Sequence, residues 1–133
     1  MTHDPGHLQI GVVAERTELS IRTLRHYDET GLVTPSARSA GGFRLYTEAD
    51  IDRLTTIRRM KPLGFTLEEM KQLLDSLDVV ADESSRPDQV LTAAEYITSC
   101  HTRAQEQCQH LRRQLAYAQE LTDVLATRTI KPT

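Results

Sequence analysis

Arg22, Arg25, His26 and Glu29 recur at three- and four-residue steps, with Thr23 and Tyr27 flanking them. On a helix that spacing gathers the side chains along one face. An arginine fork can hold a phosphate, or guanine O6 and N7 through two hydrogen bonds, and a tyrosine offers a donor on an apolar ring. The chemistry such a stripe could do is the recognition of duplex DNA. A solvated charged face has the same spacing, and periodicity alone leaves both readings open. A second set of reactive types lies further on, where Cys100 and Cys108 stand beside His101 and His110. Soft thiolates suit monovalent copper or zinc, and an activated thiol suits redox or electrophile sensing. Yet eight helical residues separate the two cysteines by about 12 Å along the axis, so one chain could not chelate one ion with both. A metal site on Cys100 and Cys108 would therefore require cysteines from both chains of a dimer, and thiol or electrophile sensing by either is the other sensor reading. Ordinary packing of a small buried cysteine competes with that reading. No Ser/His/Asp or paired-carboxylate set has a supporting strand–turn context, so neither an enzyme, a cofactor nor a bound metal is expected.

The elements that must carry the first set are legible from their punctuation. Ser20 suits an N-cap, and Gly31 is placed to stop the same helix in a left-handed turn. Thr47-Glu-Ala-Asp50 and Thr66-Leu-Glu-Glu69 both have capping-box spacing. Pro62 and Gly64 end the helix that Thr47 begins. Helices are expected over about 11–17, 20–29, 47–61 and 66–77. Val12, Val13, Ile21, Leu24, Leu54, Ile57, Leu67, Met70, Leu73, Leu74 and Leu77 form their inward faces. The first two make a helix-turn-helix whose second member is the reader. Between the second and third, residues 32–46 read as a hairpin around Ser39-Ala-Gly-Gly42, a wing carrying Arg38, Phe43, Arg44 and Tyr46. Alternation sends Arg44 and Tyr46 to one face and Phe43 and Leu45 to the other.

Charge agrees with that division of labour. The net charge of −3 excludes binding polyanions through bulk charge. Between Ser20 and Lys61, however, eight basic residues face five acidic ones, a basic head on an acidic body. The 133 residues suffice for one domain, or a small domain with an extension. No apolar run approaches the about 18 residues of a spanning helix, no secretory signal is visible, and two cysteines are too few for a disulfide scaffold. A cytoplasmic protein with no membrane partner is expected.

After a polar stretch with Ser84, Ser85 and Pro87, Thr92-Ala-Ala-Glu95 reads as another capping box, opening a helix to about Thr127 that is about 54 Å long. A 4-3 spacing marks Ile97, His101, Ala104, Cys108, Leu111, Leu115, Ala118, Thr122 and Leu125 as its seam. A narrow apolar stripe on so long a helix needs a partner helix, and a second copy is the simplest one. The dimerisation residues expected are Ile97, Ala104, Cys108, Leu111, Leu115, Ala118 and Leu125. The organisation expected is a tail at 1–8 with His3 and His7, a winged helix-turn-helix domain at 9–78, a linker at 79–88, a dimerisation helix at 89–127 and a tail at 128–133.

Ile10-Gly-Val-Val-Ala14, residues 20–33 (SIRTLRHYDETGLV), residues 38–47 (RSAGGFRLYT) and Leu63-Gly-Phe-Thr-Leu-Glu-Glu69 together resemble the MerR family of bacterial transcriptional regulators. The resemblance covers about Gln9 to Leu77, and the long helix suits that family's antiparallel dimerisation coiled coil. It implies a mainly α protein that binds a two-fold symmetric promoter operator in double-stranded DNA as a homodimer. It also implies distortion of the spacer DNA between promoter elements in the presence of RNA polymerase. The distortion cost depends on sequence and is offset by contacts outside the deformed centre. By motif position, Arg25 and Tyr27 would reach the major groove and its phosphates. Arg44 and Tyr46 would hold the wing on the backbone, Arg38 would meet a nearby phosphate, and Arg22 and Lys61 would stand at the margin. Glu18 departs from the family's frequent turn glycine, at a cost of about 1 kcal/mol if the turn is left-handed. Phe43 replaces a frequent tyrosine, and Pro62 is unusual before Leu-Gly-Phe. A thiol-reactive or metal effector is conceivable, but the paired-cysteine loop of the family's metal sensors is missing after the long helix. The rival reading is a coiled-coil interaction module whose degenerate winged domain docks another protein, which the acidic balance and Phe43 favour. A thiol-redox protein ranks behind both, because no Cys-x-x-Cys occurs.

Overall fold

Helices α1 (Ile10–Thr17) and α2 (Ile21–Glu29) meet at Glu18, whose φ of 58° and ψ of 27° are left-handed. This chain makes the expected left-handed turn without glycine, an uncommon conformation for a residue with a side chain. Ser20 caps α2, its Oγ accepting from Thr23 N at 3.0 Å. Gly31, at φ +77°, ends the turn that follows α2. The computed structural model describes residues 6–130. His3 and residues 131–133, expected in tails, lie outside the described residues.

The wing is a three-stranded antiparallel sheet rather than a simple hairpin. Strand β1 (Leu8–Gln9) pairs with β3 (Arg44–Tyr46), which pairs on its other side with β2 (Ala37–Arg38). Leu8 faces Tyr46, and Arg38 stands directly opposite Arg44. The tail expected at 1–8 thus gives up its last residue to the sheet. That added strand makes β3 central and carries Tyr46 into the core, fully buried, while Arg44 on the same strand stays half-buried.

Helix α3 (Glu48–Met60) opens with the expected capping box of Thr47 and Asp50. It passes into a 3-10 turn (Lys61–Leu63), with Pro62 at the turn's start and Gly64 left-handed at φ +83°. Helix α4 (Leu67–Ala81) begins with the Thr66–Glu69 box and runs past the expected end at 77. Helix α5 (Pro87–Ile130) spans 44 residues. It starts at Pro87, a favoured first helical position, so Thr92 lies inside it and bonds back to the Asp88 carbonyl instead of capping. The linker is correspondingly short, and the C-terminal tail is helical as far as Ile130.

Val13, Leu24, Tyr27, Tyr46, Leu54, Ile57 and Leu74 are at the centre of one core shared by all four short helices and the sheet. Val12, Ile21, Leu67 and Leu77, expected inside, are exposed. The first half of α5 joins this core along α4, burying Ala93 and Cys100 and half-burying Tyr96, Ile97 and Ala104. Ile97 and Ala104 line an open apolar groove with Met60, Leu63 and Leu73 of their own chain. His101, also on that seam, is exposed. Beyond Gln107 every described side chain of α5 is exposed, including Cys108, Leu111, Leu115, Ala118 and Leu125. Tyr117, Leu121 and Val124 make a second exposed stripe at the same 4-3 spacing. Among the described residues, no helix is long and apolar enough to cross a membrane.

Candidate nucleic-acid interface

Helix α2 stands between two clefts, and the candidate residues divide between them. On one side Arg25 meets Phe43 and Arg44 of the wing and Ile10 and Gly11 of α1 around a cleft of about 340 Å³. On the other, Arg22, Thr23 and His26 face Lys61 and Phe65 across a cleft of about 450 Å³. Arg22, Arg25, His26, Arg38, Phe43 and Lys61 are exposed, and Phe43 at the wing's turn is 69% exposed. Cations on the helix, the wing and the 3-10 turn thus form one surface from three separate sequence segments. Such a surface can follow a phosphate backbone while α2 offers side chains to a groove.

Of the two expected tyrosines, one is off that surface and the other lies mostly in the core with an edge on the cleft. Tyr27 is 4% exposed and packs beside Leu24 in the core, and burial raises the pKa of its hydroxyl. Its place three residues after Leu24 puts it on the inward stripe of α2. Tyr46 is 0% exposed, its hydroxyl pKa is raised chiefly by burial, and that hydroxyl has no hydrogen-bond partner among the described residues. Tyr46 cannot offer its hydroxyl to a phosphate from this position, whereas Tyr27 lines the cleft beside Arg22, Thr23, His26 and Lys61. Tyr46→Phe is expected to leave DNA affinity unchanged and to melt at or above the wild-type temperature, since it removes a buried hydroxyl that makes no bond. Paired melting and DNA titrations check this, and a loss of affinity would return Tyr46 to the interface.

Sequence reading missed Asp28. Its Oδ2 accepts from Arg44 Nε at 2.7 Å and from Arg38 Nη2 at 3.1 Å. The bond to Asp28 raises the pKa of the Arg44 guanidinium above the ordinary arginine value. Two arginines on adjacent short strands were the available signal, because like charges in that register call for an acid nearby.

The other reactive set is divided. Cys100 is buried between α5 and the head, while Cys108 is exposed two turns on. The Tyr96 hydroxyl beside Cys100 is pushed up to about 12, by burial first and then by its hydrogen bond to Cys100. Among the described residues, no three His, Cys, Asp or Glu side chains gather as a metal site. At the joint of α5 and the head, Arg103 lies 4.2 Å from the Phe65 ring centroid, donates to Glu69 Oε2 at 2.7 Å and to the Gly64 carbonyl at 2.8 Å. Tyr96 adds a bond from its hydroxyl to the Glu69 carbonyl at 3.2 Å.

A winged helix-turn-helix head on a long helix, with cations around the second helix, defines a DNA-binding regulator class. Residues 8–77 match the family described as MerR HTH family regulatory protein, and residues 51–128 match MerR, DNA binding. The chain belongs to the MerR family of DNA-binding transcriptional regulators. It is 49% identical over 67 residues to the HTH-type transcriptional activator mta of Bacillus subtilis (strain 168), covering 50% of this chain and 26% of that protein. It is 41% identical over 68 residues to the regulator CueR of Salmonella typhimurium, covering 51% of this chain and 49% of that one. The chain therefore spans a quarter to a half of these relatives. The fold is also that of HiNmlR, described as a MerR family regulator lacking the sensor domain and bound to promoter DNA. That match has a TM-score of 0.71 and 21% identity, over 93% of this chain and 94% of that one.

Proposed function

We propose that this chain binds a two-fold symmetric operator in double-stranded promoter DNA as a homodimer, one winged head per half-site, and distorts the spacer between them where RNA polymerase engages. The observation that carries the reading is the exposed set of Arg22, Arg25, His26, Arg38, Phe43 and Lys61, with half-buried Thr23 and Arg44, on both sides of α2 and on the wing. The exposed face of α5 from Cys108 onward supplies the second requirement, a surface for another copy. The promoter DNA in the description of HiNmlR and the activator role in the name of mta support the same direction.

The test is selection of duplexes from a random library, followed by footprinting at two salt concentrations. A protected two-fold site whose occupancy falls steeply with salt is expected. Arg25→Ala should weaken binding to that site by about 1–3 kcal/mol. No enrichment of any duplex at low salt, with the dimer intact, would favour docking to another protein instead. Unchanged affinity in the variant would remove Arg25 from the contact surface.

A further inference from the structure

Arg38 and Arg44 face each other across β2 and β3, a register in which two like charges repel. Asp28 reaches both from α2 through a single oxygen, and its side chain is 13% exposed. The acid lies in the last turn of α2, where the helix dipole disfavours negative charge, so the helix itself does not account for it. The two guanidinium groups do. Arg38 is held a second time, through Nη1 on the Gly42 carbonyl at the wing's turn, at 3.2 Å. Arg44 is held only by Nε, which leaves its two Nη groups without an acceptor among the described residues. Those two groups are the end-on fork that suits a phosphate.

We propose that Asp28 is a positioning residue for DNA: it fixes Arg38 and Arg44 at the base of the wing, with the Arg44 fork turned to a backbone phosphate, and keeps both while DNA is bound. The proposal rests on the DNA-binding reading above. The trio keeps a net charge of +1, so Asp28 removes indiscriminate attraction for any duplex while fixing geometry for the right one. Its loss should therefore move specific and non-specific binding in opposite directions. A residue that merely stabilised the fold would weaken both together.

The experiment titrates wild type, Asp28→Asn and Asp28→Glu with two probes: a duplex enriched from the random library by the wild-type chain, and a mixed-sequence duplex of equal length. For Asp28→Asn, affinity for the enriched duplex should fall about tenfold. Affinity for the mixed duplex should rise, with a salt slope steeper by about one. Asp28→Glu, which keeps the charge, should restore much of the discrimination. A parallel fall on both probes, or no change on either, overturns the proposal. A measurement on the wild-type chain guards against a variant that fails to fold. The Arg44 Nε–H signal in an arginine-labelled sample should stay protected when the enriched duplex is added, and its loss on binding would show that phosphate displaces Asp28. If the wild-type chain enriches no duplex at all, the DNA-binding reading fails first and the role of Asp28 falls with it.

Discussion

The double variant Leu111→Asp, Leu115→Asp is expected to sediment as a monomer under conditions where the wild-type chain is a dimer. Its apparent affinity for a two-fold operator should fall at least about a hundredfold, because two linked heads gain that much from effective concentration. Both leucines project from the part of α5 that lies beyond the head, 43% and 57% exposed. Burying one such side chain is worth about 1.5–3 kcal/mol, and forcing a carboxylate into the same interface adds a desolvation cost. The winged head should keep its helicity, since neither residue touches it. Gln109→Asp, a polar position away from the seam, serves as the control and should remain dimeric. A dimer that survives the double variant would show that copies meet elsewhere, with the stripe of Tyr117, Leu121 and Val124 the next surface to change.

Asp50→Ala should be strongly destabilising to the head. The Asp50 carboxylate is buried, and its Oδ2 accepts from Ser36 N at 3.1 Å, Ser36 Oγ at 2.7 Å and Thr47 N at 2.9 Å. One side chain thereby closes the α3 cap and ties the strand approach to β2 against the helix. Bonds to a charged acceptor are worth about 1.5–3 kcal/mol each and do not add fully, so a loss of about 3 kcal/mol is expected. For a domain of this size that lowers the melting temperature by roughly 10–20 °C at equal protein concentration. Asp50→Asn keeps acceptor oxygen and should lose less. A melting temperature within about 3 °C of wild type would mean the three donors find water without penalty.

Much of this could be read from residue order, for physical reasons that differ by element. Caps are local, so Ser20, Thr47 and Thr66 announced three helices from spacing alone. The reading of Thr92 as a cap failed because its box pattern also fits a helix interior, and Pro87 had the stronger claim to the start. Strand β1 was invisible at two residues, and without it the central place of β3 could not be seen. Tyr46 was misplaced for that reason. Tyr27 is harder to place from order alone, since an aromatic ring with a hydroxyl suits a core and a phosphate equally, and this one packs in the core while lining the cleft beside α2. A 4-3 spacing marks a stripe along α5, but spacing does not say which surface a stripe meets. Its first half meets α4 of its own chain.

The Arg103 contacts bear on mechanics. A guanidinium stacked on Phe65, paired with Glu69 and bonded to Gly64 fastens the long helix to the head at three points, two on the connection before α4 and one on α4 itself. Such a joint resists swivelling, so the head and the first half of α5 behave as one lever about an axis set by α4. Two such levers coupled at their far ends would hold the spacing and the relative tilt of their heads as fixed quantities. Torque needed to bend a duplex would then be borne along the rods, and compliance would reside where the two chains cross rather than within either one.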